Sequence, residues 1–230
     1  MLRYKIQLQD RPLGAFAGPA IIGSGGTLHA YPAGTQARVA MYDKDGTAIT
    51  NPFSLVRGSA EFYVANTAAN EALDIFVMTG EGYSAQLWSV GPDEVHEVPI
   101  DRSASHQMLV LPFSIADVVT DAVAVNTGLT LVVGQVFQPW PHMKVVTTDA
   151  GITADAGIVG TTTGFISALP LTSQGLVTDV NGSLITAITT YIATAVNLTW
   201  TISAGGDTGT GYIFLPYMMM RTGAPIITQS

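Results

Sequence analysis

Leu2, Tyr4, Ile6 and Leu8 alternate with Arg3, Lys5, Gln7 and Gln9, the period of two that marks a strand with one buried face. Similar alternation and short apolar runs predict further strands at residues 37–42, 60–64, 73–78 and 83–90. In the last of these the inward face carries Tyr83, Ala85, Leu87 and Ser89. Asp43-Lys44-Asp45-Gly46 follows the strand at 37–42, and Asp-Gly after a strand signals a hairpin. The second half predicts strands at 107–113, 129–137, 142–148, 152–159, 197–204 and 211–219, with glycines between and within them. Residues 12–26 are rich in Gly and Pro and read as an extended connection. One segment is ambiguous: Leu184, Ile185, Ile188, Tyr191, Ile192, Ala195 and Val196 fall at helical spacing, while their Thr and Ile content favours strand. A short helix near 184–196 and a strand both stay open. The pattern as a whole predicts an all-β chain built as two small β-sandwich or jelly-roll-like domains.

Charge divides the chain unevenly. Residues 1–105 hold eleven acidic and seven basic side chains, residues 106–230 only six and two, and no positive side chain lies between Lys144 and Arg221. The shift falls near residues 91–105, where two prolines sit among clustered acids, a boundary signal. The expected organisation is an N-terminal extended segment plus a small β-sandwich over 1–105, then a C-terminal β-sandwich or jelly-roll-like domain over 106–230.

Only 11% of the 230 residues are charged, against about 25% in an ordinary domain. That scarcity points to surface covered by partners. A net charge of −8 with nine scattered basic residues argues against a nucleic-acid groove and against an anionic membrane surface. The longest apolar-rich stretches, 129–137 and 212–220, are shorter than the roughly 20 residues a spanning helix needs. Residues 1–10 lack the continuous apolar run of a signal peptide. The absence of cysteine excludes disulfides, thiolate metal sites and cysteine nucleophiles.

Candidate chemistry is sparse. His29, His96, His106 and His142 form no metal-ligand spacing, and each reads as a surface or core-edge residue. His96 with Glu94 and Glu97 reads as a solvated polar cluster. Asp43-Lys44-Asp45-Gly46 starts like a calcium loop, but the place of the closing glutamate is Ser54, so a turn is expected. Asp149 and Asp155 read as turn residues. No Gly-x-Ser-x-Gly elbow exists, and Gly23-Ser24-Gly25-Gly26 lacks the lysine of a phosphate loop. Glu61, Asp74 and Glu81 are the carboxylates whose convergence would matter for glycoside chemistry. Asn181 and Asn197 open glycosylation-type triplets. Trp88, Trp140 and Trp200 offer either a sugar-stacking platform or ordinary packing. No catalytic, cofactor-binding or metal-binding residue is expected. Leu2, Tyr4, Ile6 and Leu8 form an apolar face that a short strand cannot bury alone, so residues 1–25 are expected to dock onto a neighbouring capsid subunit or protomer.

Residues 146–157 read Val-Thr-Thr-Asp-Ala-Gly-Ile-Thr-Ala-Asp-Ala-Gly, followed by Gly164-Phe165-Ile166 and Gly175-Leu176-Val177. Residues 199–216 read Thr-Trp-Thr-Ile-Ser-Ala-Gly-Gly-Asp-Thr-Gly-Thr-Gly-Tyr-Ile-Phe-Leu-Pro. This series, spanning roughly residues 106–220, resembles a domain that recurs among structural proteins of tailed-bacteriophage virions, particularly head decoration (cement) and head-fibre proteins. Tyr42–Gly46, Asn51-Pro52-Phe53 and Gly58–Val64 look like the small β modules of phage fibres and adaptors. The resemblance implies a homotrimer on the outer capsid surface, partnered by the major capsid protein, without enzymatic activity, cofactor, nucleic-acid or membrane partner. A head or tail fibre or adaptor, and a receptor- or carbohydrate-binding module of the virion, are the alternatives.

Overall fold

A computed structural model describes residues 1–10, 20–21, 25–100, 106–115, 124–138, 141–177, 190–203 and 208–219. The strands of the first half are β1 (Leu2–Asp10), β2 (Ala20–Ile21), β3 (Gly26–Pro32), β4 (Met41–Tyr42) and β5 (Ala48–Ile49). β6 (Phe53–Leu55), β7 (Ser59–Val64), β8 (Leu73–Thr79), β9 (Ser84–Val90) and β10 (Val95–Ile100) follow. The second half contains β11 (His106–Ser114), β12 (Val125–Leu131), β13 (Gln135–Phe137), β14 (His142–Thr147) and β15 (Thr153–Ile158). It ends with β16 (Thr161–Pro170), β17 (Gly175–Val177), β18 (Thr190–Tyr191), β19 (Val196–Ile202) and β20 (Thr210–Met219). Among the described residues the helical positions are a 3-10 turn at Ala68–Asn70 and the single residue Ile115 after β11. The chain is all-β, as its pattern of short strands predicts.

Four sheets form. Sheet I has the order β10-β1-β7-β4-β5, with β2 also on β1; sheet II is β6-β3-β8-β9. Sheet III is β17-β14-β20-β13-β18, with β11 on the other edge of β20; sheet IV is β12-β19-β15-β16. Among the described strands every pairing stays within one half, so no described sheet joins β1–β10 to β11–β20. Among the described strands β1 and β10 form the one parallel pair.

Each half closes on its own core. Tyr4, Ile6, Leu8, Phe62 and Val64 from sheet I meet Leu28, Leu73, Ile75 and Val77 from sheet II. Leu109, Leu111, Phe113, Ile213 and Leu215 from sheet III meet Ala154, Ala156, Leu198 and Trp200 from sheet IV. Each such aliphatic or aromatic side chain contributes about 1.5–3 kcal/mol when fully buried. β8 differs from its neighbours because all seven residues, Leu-Asp-Ile-Phe-Val-Met-Thr, are buried. Leu73, Ile75 and Val77 face their own core, while Phe76 packs with Val110, and Met78 joins the core of the second half. A strand covered on both faces loses its alternation.

Several expectations need correction. Tyr4, Ile6 and Leu8 are no docking face: they are 0%, 1% and 0% exposed, and Leu2 packs against the same core. β1 lies between β10 and β7 within sheet I, and sheet II covers its apolar face. Beyond β1, residues 11–25 are described only at Ala20–Ile21, paired with β1, and at Gly25. The stretch 91–105 is not wholly a linker, because Val95–Ile100 is β10 and completes sheet I. Residues 129–137 are two strands separated by a turn with Gly134 at φ 96°, a conformation glycine adopts without cost. The strand foreseen at 37–42 is confined to Met41–Tyr42. In β9, Ser89 is exposed, at φ 56°. Of the segment 184–196, Thr190–Tyr191 and Val196 are strand, as β-branched content favours; residues 184–189 lie outside the described residues.

Candidate functional site

The two halves meet along a seam built mostly from the outward face of sheet II. Because β3 and β8 send Leu28, Ala30, Ile75 and Val77 inward, the alternate residues His29, Tyr31, Asp74 and Phe76 face the second half. Tyr31, Phe76 and Val110 form a small buried cluster, with Tyr212 and Phe214 packed against it. Trp88 stands at its rim. Its ring lies edge-to-face with Phe76 at 5.1 Å and with Tyr212 at 6.2 Å, yet 52% of the residue is exposed. Such aromatic pairs are worth about 0.5–1.5 kcal/mol beyond their buried area.

Polar groups fix this arrangement. The buried Asp74 carboxylate accepts the Gly34 N–H at 2.8 Å and the Ser89 N–H at 2.9 Å, clamping the loop after β3 to the residue beside Trp88. Gln36 Nε2 donates to the Tyr212 hydroxyl at 2.8 Å. Burial raises the Tyr212 pKa, against the lowering effect of that hydrogen bond. Arg38 reaches across the seam, donating to Asn51 O at 3.1 Å within its own half and to Thr127 O at 2.8 Å in the other. At the far end Tyr217 Oη and Gln135 Nε2 both donate to Gly82 O. Backbone contact is equally close: a Cβ on Gly128 would collide with the Pro52 ring, and one on Gly82 with Val132.

The other candidates fall into structural roles. Asp43 Oδ1 accepts the N–H groups of Asp45 and Thr47 at 2.9 and 2.8 Å, which closes the β4–β5 hairpin and holds the carboxyl below its usual pKa. Glu61 accepts the Tyr63 hydroxyl at 2.9 Å and pairs with Lys5 Nζ at 3.3 Å on the outer face of sheet I. That hydrogen bond, with Lys5, lowers its pKa. Glu61 therefore serves sheet I and Asp74 the seam, each with its own structural partners. Asp155 Oδ1 accepts the N–H of Ala168, which sits at φ 52° in β16, and Asp149 Oδ2 accepts that of Thr208. His96 contacts Gly91 O at 2.6 Å, while Glu94 and Glu97 are exposed. His106 is exposed on β11 and His142 half-buried on β14. Ser54, the place of the missing calcium ligand, is exposed on β6. Asn197 Oδ1 accepts the Thr130 hydroxyl. Trp200 is buried against Phe113, while Trp140 and Asn181 lie outside the described residues. Among the described residues no three His, Asp or Glu side chains form a metal-holding group.

Among the described residues the seam joins the halves through aromatic packing and hydrogen bonds. Sequence reading singled out Trp88 but missed Phe76, Tyr212, Phe214, Gln36 and Arg38. Trp88 and Tyr212 are far apart in the chain, and no local pattern joins them.

No family model matches the chain, and no curated protein matches it. Among solved structures the chain is similar to the VP2 subviral particle of infectious bursal disease virus, with 13% identity, a TM-score of 0.28 and coverage of 95% of this chain and 56% of that one. It is also similar to a structure of the Gx strain of the same virus, with 14% identity, a TM-score of 0.25 and coverage of 85% and 53%. The major pilin SpaA of Corynebacterium diphtheriae gives 8% identity, a TM-score of 0.25 and coverage of 96% and 59%. The chain spans little more than half the length of each. At such TM-scores the likeness assigns neither family nor function.

Proposed function

We propose that this chain is a virion structural protein of a tailed bacteriophage, a decoration (cement) protein that binds the outer head surface and stabilises the shell by bridging capsid subunits. The observation that carries this reading is the resemblance of residues 106–220, in which Thr199–Trp200 and Gly211–Pro216 fall in β19 and β20, the strands central to sheets IV and III. The surface supports it. The protein bears few charges and exposes single apolar side chains, Val56 at 67%, Leu176 at 62% and Val159 at 59%. Cement action requires only that interface free energy be added between neighbouring subunits, and apolar contact with a few aromatic anchors supplies it. A homotrimer would give each protomer the same contact repeated about one axis. We assign it no enzymatic role.

Purified particles test the reading. A cement protein is present at high, fixed copy number, its deletion leaves fragile heads, and light scattering of the free protein gives about three times 24.1 kDa. Low copy at a vertex or tail would instead identify a fibre or adaptor, and absence from particles would overturn the virion role. The half-exposed Trp88 ring favours a second reading, a carbohydrate-binding module of the virion. Glycan binding by the isolated protein, lost in Trp88→Ala, is the result expected from it.

A further inference from the structure

His29 sits at the centre of the seam. It is 1% exposed, faces Phe76 in the β3–β8 register, and neither ring nitrogen has a hydrogen-bond partner. Buried imidazoles normally have one. The ring borders a cavity between sheet II and strands β11 and β12 with room for about one water, roughly 10 Å³. The elements around this cavity are β3, β8, β9, β11 and β12. Apart from His29 itself they line it with apolar side chains plus Ser84 and Gln86, and with no ionisable group. The charge felt at the imidazole is that of Arg38, whose guanidinium is committed to Asn51 O and Thr127 O on opposite sides of the seam. Among the described residues no carboxylate lines the cavity to receive an imidazolium.

We propose that His29 is an acid-operated release for the seam: on acidification, water and a proton reach its ring by parting the two sandwiches, while each sandwich stays folded. The seam is the weak plane. Its buried apolar contacts are the cluster Tyr31, Phe76 and Val110 and the Met78 side chain, against a full core in each half. The hydrogen bonds that cross it include those from Gln36 to Tyr212, from Arg38 to Thr127 O, and from Tyr217 and Gln135 to Gly82 O, and the backbone passes between the halves once, from Ile100 to His106. Burial, and then the nearby Arg38 charge, lower the ring's pKa to about 3 in the closed form. In the parted form the ring is hydrated and returns toward about 6.5. The parted form therefore binds more protons between those values, and the closed form loses ground as pH falls through that window. This inference is independent of the virion reading, since it concerns only contacts within one chain.

The test follows the Trp88 indole resonance, identified by its loss in Trp88→Phe, together with far-ultraviolet circular dichroism, as the full-length protein is taken from pH 7 to 3. The expected result is a Trp88 transition complete at a higher pH than any loss of β signal. In His29→Leu that transition moves at least one pH unit toward acid. Coincident Trp88 and circular-dichroism transitions in the wild type would overturn the proposal, as would an unmoved Trp88 midpoint in the variant. Should His29→Leu fail to fold, His29→Gln, which is neutral and can bond to a cavity water, is judged by the same midpoint.

Discussion

The hydroxyl of Tyr217 donates to the carbonyl of Gly82 at 2.7 Å, across 135 positions of sequence. Tyr217 is fully buried in the second half, and Gly82 lies in the β8–β9 turn of the first. Gln135 Nε2 donates to the same carbonyl at 3.0 Å, so one turn of the first half is held by two side chains of the second. Tyr217→Phe removes one of the two donors. We expect a loss of about 0.5–1.5 kcal/mol in urea unfolding, with the fold kept, because Gln135 still satisfies the carbonyl.

The same hydroxyl has an alkaline signature. Burial raises the Tyr217 pKa from 10.0 to about 12. An unfolded tyrosine ionises near 10 while the folded one stays protonated, so this stabilisation is complete below pH 10 and is lost as pH rises toward 12. Urea midpoints should fall between pH 9 and 11, and Tyr217→Phe should flatten the slope. Tyr4, whose hydroxyl donates to Asn70 O at 2.6 Å and whose pKa is likewise raised to about 12, will leave part of the slope in place.

Gly82 and Gly34 separate backbone strain from collision. Both have positive φ, 89° and 73°, but a Cβ on Gly34 meets nothing within 4 Å. Gly34→Ala should cost about 1–2 kcal/mol for the left-handed conformation alone. Gly82→Ala should add about 1–3 kcal/mol of overpacking against Val132. Equal melting temperatures for the two variants would contradict the tight turn-to-core contact.

β1 is tested by neighbours in sequence. Ile6→Ala removes a side chain that is 1% exposed, and should cost about 2–5 kcal/mol. Gln7→Ala, on the outer face, should stay within about 0.5 kcal/mol. A stable Ile6→Ala protein that has lost only particle binding would restore the docking role that the core position of Ile6 contradicts.

These elements also show where sequence reading succeeds. β1 was legible because one face is core and the other solvent, so its side chains alternate. β8 was legible as an apolar run, but not as a strand serving two cores, since the second cover comes from residues far along the chain. The sequence of β10 reads as a boundary because Glu97 and Pro99 look unlike a strand. Both are exposed, and Pro99 lies on an edge strand, where a missing N–H does little harm. β3 and β16 escaped notice: Gly, His and Pro interrupt one, and Thr dilutes the other. The seam was illegible for a different reason. A lone histidine and a lone tryptophan carry no local pattern, and their meaning comes from Arg38, Phe76 and Tyr212 brought up by the fold.

The parallel pairing of β1 with β10 has a mechanical consequence. Lys5 to Asp10 lie beside Val95 to Ile100 in the same direction, so the chain enters the first sandwich at one end of this pair and leaves it at the other. Tension applied between residue 1 and the second half would slide the two strands along their length. In that geometry the whole ladder from Lys5↔Val95 to Asp10↔Ile100 carries the load at once, instead of opening one bond at a time as a hairpin peeled from its end would. A protein pulled at residue 1 and anchored through its second half would resist force first in the nine residues of β1.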